Sequence, residues 1–179
     1  MEKLHIENKP YMAYTFDKHL HNYACWTAAR GVQRNFTNTP NIISAIETST
    51  LMQLDSLSIN SSEEYDVFHR RCCNQLINYL KTECNIEATY GRAAKIVAIY
   101  LKTAVIVRYS GEGTLAEVAH PPIDRILLTN LRKNFKEIVP DKINWTELDE
   151  KRKIDCATKH FELVDMDYKQ IKGDELRWW

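Results

Sequence analysis

The sequence predicts an all-α protein, a single compact multi-helix domain over residues 1–179, on three observations. Apolar residues recur at three- and four-residue spacing in several separate windows. The breaks between those windows carry helix-capping residues and prolines. Five glycines and five prolines in 179 residues, with 44% hydrophobic and 27% charged residues, describe an ordinary globular chain with little material for linkers. At that length one core is expected, not two.

The elements follow in order. Thr15 to Asn35 reads as a first helix, with Phe16, Leu20, Tyr23 and Ala28 near one face and Asp17 placed to suit the helix dipole. Thr39-Pro40 supplies a cap and an N-terminal proline for a short second helix through Ile42, Ile43 and Ile46. Ser61 and Glu64 have capping-box spacing, and Tyr65, Phe68, Cys72, Leu76 and Leu80 give the third helix its apolar face. From Arg92 the chain is apolar on nearly every side, as a helix buried at the centre of a fold must be. Its β-branched second half, Thr103 to Tyr109, suits either a helix or a strand, and the helix is favoured. Ser110-Gly111-Glu112-Gly113 is a turn, His120-Pro121-Pro122 stiffens the approach to a helix from Asp124 to Phe135, and Thr146 with Asp149 opens a sixth helix to about Leu163. Trp178 and Trp179 are expected to pack back on the body.

Charge and cysteine usage narrow the function. Lysine plus arginine balance aspartate plus glutamate at 24 each, so bulk electrostatics do not hold this chain on nucleic acid and any such site is a local patch. One patch is visible: between positions 69 and 109, Arg70, Arg71, Lys81, Arg92, Lys95, Lys102 and Arg108 face only Glu83 and Glu87. A phosphate backbone and a plain solvated face both fit such a run. The five cysteines lack zinc spacing, which predicts free thiols, a reducing compartment and no metal. Residues 1–11 lack the apolar core of a secretory signal, and Ile96 to Val107 is too short to span a bilayer. A cytoplasmic protein with no membrane association is expected.

The stretch that carries chemistry is Tyr90-Gly91-Arg92-Ala93-Ala94-Lys95, followed by His120-Pro121-Pro122-Ile123-Asp124-Arg125. Gly91 permits close approach of another surface to the amides at a helix N-terminus, where phosphates bind. Lys95 lies one turn further on, and Asp124 opens the next helix behind a rigid proline pair. In the first helix Trp26, Arg30 and Arg34 share one stripe, suited to DNA or to a simple arginine-on-tryptophan stack.

These residues resemble the helix-hairpin-helix DNA glycosylases, in particular the 8-oxoguanine-glycosylase-like branch, over the middle third of the chain. Asn74 to Thr82 would be the first helix, the connection through Gly91 the hairpin, Gly91 and Lys95 the family's G-x-x-x-K, and Asp124 its aspartate, within a hairpin element spanning 74–102 and a catalytic helix start at 120–135. The resemblance implies base flipping and hydrolysis of the N-glycosidic bond of a damaged or modified base in duplex DNA, in repair or antiphage defence. Asp124 would stabilise the developing positive charge, and Lys95 would attack the sugar carbon in a bifunctional variant. Tyr90, Gly91, Arg92, Arg70, Arg71 and Arg125 would contact DNA, and Trp26, Arg30 and His120 would line the base pocket. No cofactor is implied, since the four-cysteine cluster pattern of some relatives is missing. The interval from Lys95 to Asp124 is longer than the family's, so Ser110 to Ala119 reads as an insertion. The alternative is a non-catalytic helical module that binds nucleic acid or protein through the same patch.

Overall fold

Seven α-helices, with short 3-10 and π segments between them, make up the computed structural model over its described residues, 14–56, 58–136 and 144–159. They run α1 (Phe16–Val32), α2 (Thr39–Glu47), a 3-10 turn (Thr50–Ser56), α3 (Ser62–Cys84), α4 (Tyr90–Leu101), a π-helical turn (Lys102–Ile106), α5 (Thr114–Val118), α6 (Arg125–Asn134), a 3-10 turn (Trp145–Glu147) and α7 over 150–159. Among the described residues there is no strand, as an all-α chain requires. The chain continues from α4 as a π turn to Ile106 and then as a hydrogen-bonded turn over 107–109, so the first part of the β-branched run is helical and none of it is a strand. The expected end of the last helix at Leu163 and the packing of Trp178 and Trp179 lie outside the described residues.

Each start has its chemical cause. Thr15, Asn38, Ser61, Thr89 and Asp124 cap α1, α2, α3, α4 and α6 through their side-chain oxygens. The cap of α2 is thus Asn38, one residue before the expected Thr39, whose own hydroxyl donates to Gln33. The Glu64 amide donates to Ser61 Oγ, while Glu64 Oε2 accepts at 2.7 Å from the amide of Asn60, one residue ahead of the cap, and not from that of Ser61. α3 ends on Asn85 in the left-handed region at φ 54°, so asparagine makes the turn expected of a hairpin glycine. Gly91 instead lies inside the first turn of α4.

α4 is the central helix, packed between α1 and α3 with Ala93, Ala94, Ile96, Val97 and Leu101 fully buried. Against them lie Leu76 and Leu80 of α3, each contributing about 2 kcal/mol by leaving water. The inward face of α1 differs from expectation. Ala24, Cys25, Ala28, Ala29 and Val32 are buried, while Phe16 and Tyr23 are 66% and 50% exposed. Small side chains let α1 approach α4 closely, and at Gly31 the Ile99 side chain occupies the space a Cβ would need. A second, smaller apolar cluster joins Ile123, Leu128 and Leu131 to Leu148 and Cys156, and Trp145 packs against both clusters. No helix among the described residues is long and apolar enough to cross a membrane.

Candidate functional site

Lys95 and Asp124, separated in sequence by the whole π turn and α5, lie close enough for their charges to interact, and Lys95 packs on Trp145. The Lys95 ammonium stands 4.2 Å from the centre of the Trp145 ring. Burial lowers the Lys95 pKa, and the nearby Asp124 carboxylate opposes part of that shift. Asp124 holds the start of α6 through Oδ1, which accepts from the Ile126 and Leu127 amides at 2.8 and 2.9 Å. The cap uses one of the two carboxylate oxygens. A half-buried amine packed on an indole and a carboxylate fixed at the start of α6 are therefore coupled through their charges.

Gly91 serves the site differently from the expected phosphate contact. It is buried, and a Cβ there would collide with the Trp145 carbonyl oxygen and crowd that of Leu148. The surface that approaches this glycine is the chain's own 145–148 segment, which is how Trp145 reaches Lys95. The arginine of that turn is Arg92, whose guanidinium lies 4.3 Å over the Phe36 ring and donates to the Asn35 carbonyl at 3.5 Å.

Several other expected contacts are placed elsewhere. The Tyr90 hydroxyl turns inward and sits 3.2 Å from His69 Nδ1. Arg70 is exposed but committed to Glu150, while Arg71 and Arg125 are exposed. Trp26 and Arg30 do not line a pocket with Asp124. They project from the solvent flank of α1, because the buried alanines of that helix claim the opposite side. His120 is only 7% exposed, with Nε2 3.0 Å from Asp66 Oδ1, so the fold encloses it instead of presenting it to a base.

His120 belongs to a buried polar cluster that sequence reasoning missed. Its ring lies edge-on to Tyr65 at 4.8 Å and 5.1 Å from the ring of His69. Lys153 of α7, 1% exposed, reaches in among them, with Nζ 3.5 Å from the Pro121 carbonyl oxygen. Burial pulls the Lys153 pKa down to about 8, while Cys73, Cys156 and Asp66 pull it upward. Burial and that ammonium lower His120 to about 2 and hold His69 well below the ordinary imidazole value. Burial likewise raises Asp66, against Arg70 and Lys153. The cluster ties α3, the His120-Pro121 segment and α7 together. The sequence signal that points to it is Lys153 itself, on the apolar side of α7 next to Cys156 and Ala157. Among the described residues no group of histidine, cysteine or carboxylate side chains is arranged to hold a metal, and the five thiols are free.

Comparison with models of protein families, with curated proteins and with solved structures finds no match for the chain.

Proposed function

We propose that the protein is a DNA glycosylase that releases a damaged or modified base, with the Lys95, Asp124 and Trp145 cluster as its reaction centre. The observation that supports this reading is that Lys95, half-buried against Trp145, and Asp124, fixed at the start of α6, interact through their charges although remote in sequence. Breaking an N-glycosidic bond builds positive charge on the sugar, and a carboxylate fixed by two backbone amides is suited to stabilise it without reorganising. Lys95 is one turn into α4, and its partial burial favours the neutral amine that nucleophilic attack on the sugar carbon needs. The new carbon–nitrogen bond forms as the bond to the base breaks, and the base leaves with a proton from the attacking amine. Opening of the sugar ring, with the second amine proton passing to the ring oxygen, then gives the Schiff base. In the monofunctional variant, Asp124 directs a water instead.

The test is incubation of the purified chain with oligonucleotides carrying a panel of modified bases, scoring abasic sites. Wild-type protein is expected to release at least one of these bases, and Asp124→Asn to lower that release by a factor of about 100 or more, taking about 3 kcal/mol of electrostatic stabilisation as the measure. Unchanged release by Asp124→Asn would remove this carboxylate from the chemistry.

A further inference from the structure

The solvent flank of α1 carries a feature that the reaction centre does not use. Phe16, His19, Tyr23, Trp26 and Arg30 follow one another at steps of three and four residues, the spacing of a single helix face, and Arg34 comes just past the helix end. Phe16, Tyr23 and Trp26 are 66%, 50% and 51% exposed, and the rings of Tyr23 and Trp26 stack at 6.1 Å with 21° between their planes. No carboxylate stands on this stripe, and Arg30 and Arg34 line a shallow groove with Gln33, Thr37, Asn38 and Thr39. Three large rings left in water beside two arginines are an unfavourable surface for a chain that otherwise buries its apolar groups.

The stripe borders the seam between α1 and α4. That seam is marked by Thr27 against Thr103 at 3.3 Å, Gly31 against Ile99, and Asn35 against Arg92. The helices therefore run antiparallel, and Arg92, Lys95 and Ile99 form the α4 row along the same opening. Arg30 lies about 100° around α1 from Gly31, on the open side of the seam. The aromatic stripe and its two arginines thus border the seam in which Arg92 packs over Phe36.

We propose that this surface is a track for an unpaired stretch of DNA next to the base being removed, with bases on the α1 rings and phosphates on Arg30 and Arg34. The inference rests on the glycosylase reading and adds the substrate class to it, because the strand is single-stranded or locally opened in place of the duplex expected from sequence. A duplex hides the base faces that convex exposed rings need, whereas every unpaired base offers one. Charge complementarity favours nucleic acid over a protein partner, since the arginines flank the rings with no acid among them.

The experiment is fluorescence anisotropy on the full chain with a labelled thymidine oligonucleotide and a duplex of equal length, over a salt series. Trp26→Ala is expected to weaken single-strand binding about tenfold or more while changing duplex binding little. Arg30→Gln with Arg34→Gln should lower the single-strand salt slope by about 1.4, at about 0.7 for each phosphate no longer neutralised. Lys133→Gln, exposed on α6, should behave as wild type, and circular dichroism should be unchanged in all variants because every substituted residue is exposed. Wild-type affinity in both α1 variants, or an equal loss for single strand and duplex, would overturn the track. Binding to unmodified DNA needs no chemistry, so Trp26-dependent binding without base release would sink the enzyme reading alone. Base release with Trp26-independent binding would sink the track alone.

Discussion

Lys153 brings its charge into the protein with little to compensate it. Its pKa of about 8 against an ordinary 10.5 means that folding disfavours the ammonium by about 3 kcal/mol at neutral pH. The sign follows from linkage: the cost is fully present below pH 8 and is relieved as pH rises toward 10.5, where the unfolded chain also loses the proton. Lys153→Met is therefore expected to stabilise the protein by about 2 kcal/mol at pH 7 in urea denaturation, since a buried charge with no carboxylate at ion-pair distance among the described residues is replaced by a side chain of similar shape. Lys95 differs in being half-buried, with its ammonium against the Trp145 ring. Borohydride added during turnover is expected to crosslink the wild-type chain to DNA, and Lys95→Gln to abolish the crosslink, which only a Schiff base at that amine explains.

At the scale of the element, the start of α6 separates catalysis from capping. Asparagine caps a helix about as well as aspartate, so Asp124→Asn is expected to keep thermal stability within a few tenths of a kcal/mol, whereas Asp124→Ala should lose about 1 kcal/mol. Loss of base release in the asparagine variant then reports chemistry and not a frayed helix. The start of α4 gives the complementary case. Gly91→Ala puts a methyl group into the Trp145 carbonyl, and the colliding atom is backbone that has no rotamer to escape by. It is expected to destabilise by about 2 kcal/mol or more, measured by denaturation, and to quench the Lys95-dependent crosslink as Trp145 withdraws.

For the whole molecule, the enclosed histidines set the acid limit. His69 and His120 are held neutral by burial, so between their folded and ordinary pKa values only the unfolded chain takes up their protons. Stability is full above about pH 6.5 and falls below it, by about 1.4 kcal/mol per pH unit for each ring, or about 3 for the pair. Denaturation at pH 7, 6 and 5 checks this, and His120→Gln is expected to halve the slope.

The helices themselves were legible because capping and periodicity are local: Ser61 with Glu64, the apolar row from Tyr65 to Leu80, and Asp124 behind two prolines are each specified within one or two turns of chain. Which face of a helix turns inward was less so. Phe16 and Tyr23 are the bulkier apolar residues of α1, yet the alanines are buried, because the spacing to α4 is set by Gly31 and Ile99 and a local pattern contains no information about that distance. Composition and short-range spacing determined an all-α chain, and the resemblance to DNA glycosylases singled out Lys95 and Asp124. Only the tertiary structure decided that these two are near enough for their charges to interact, that Gly91 receives the chain's own carbonyl, that His120 joins Asp66, His69 and Lys153 in the interior, and that Trp26 and Arg30 are left facing water. The physical reason is that capping and helix propensity act over one turn, whereas burial and charge pairing depend on which distant segments the packed core brings into contact.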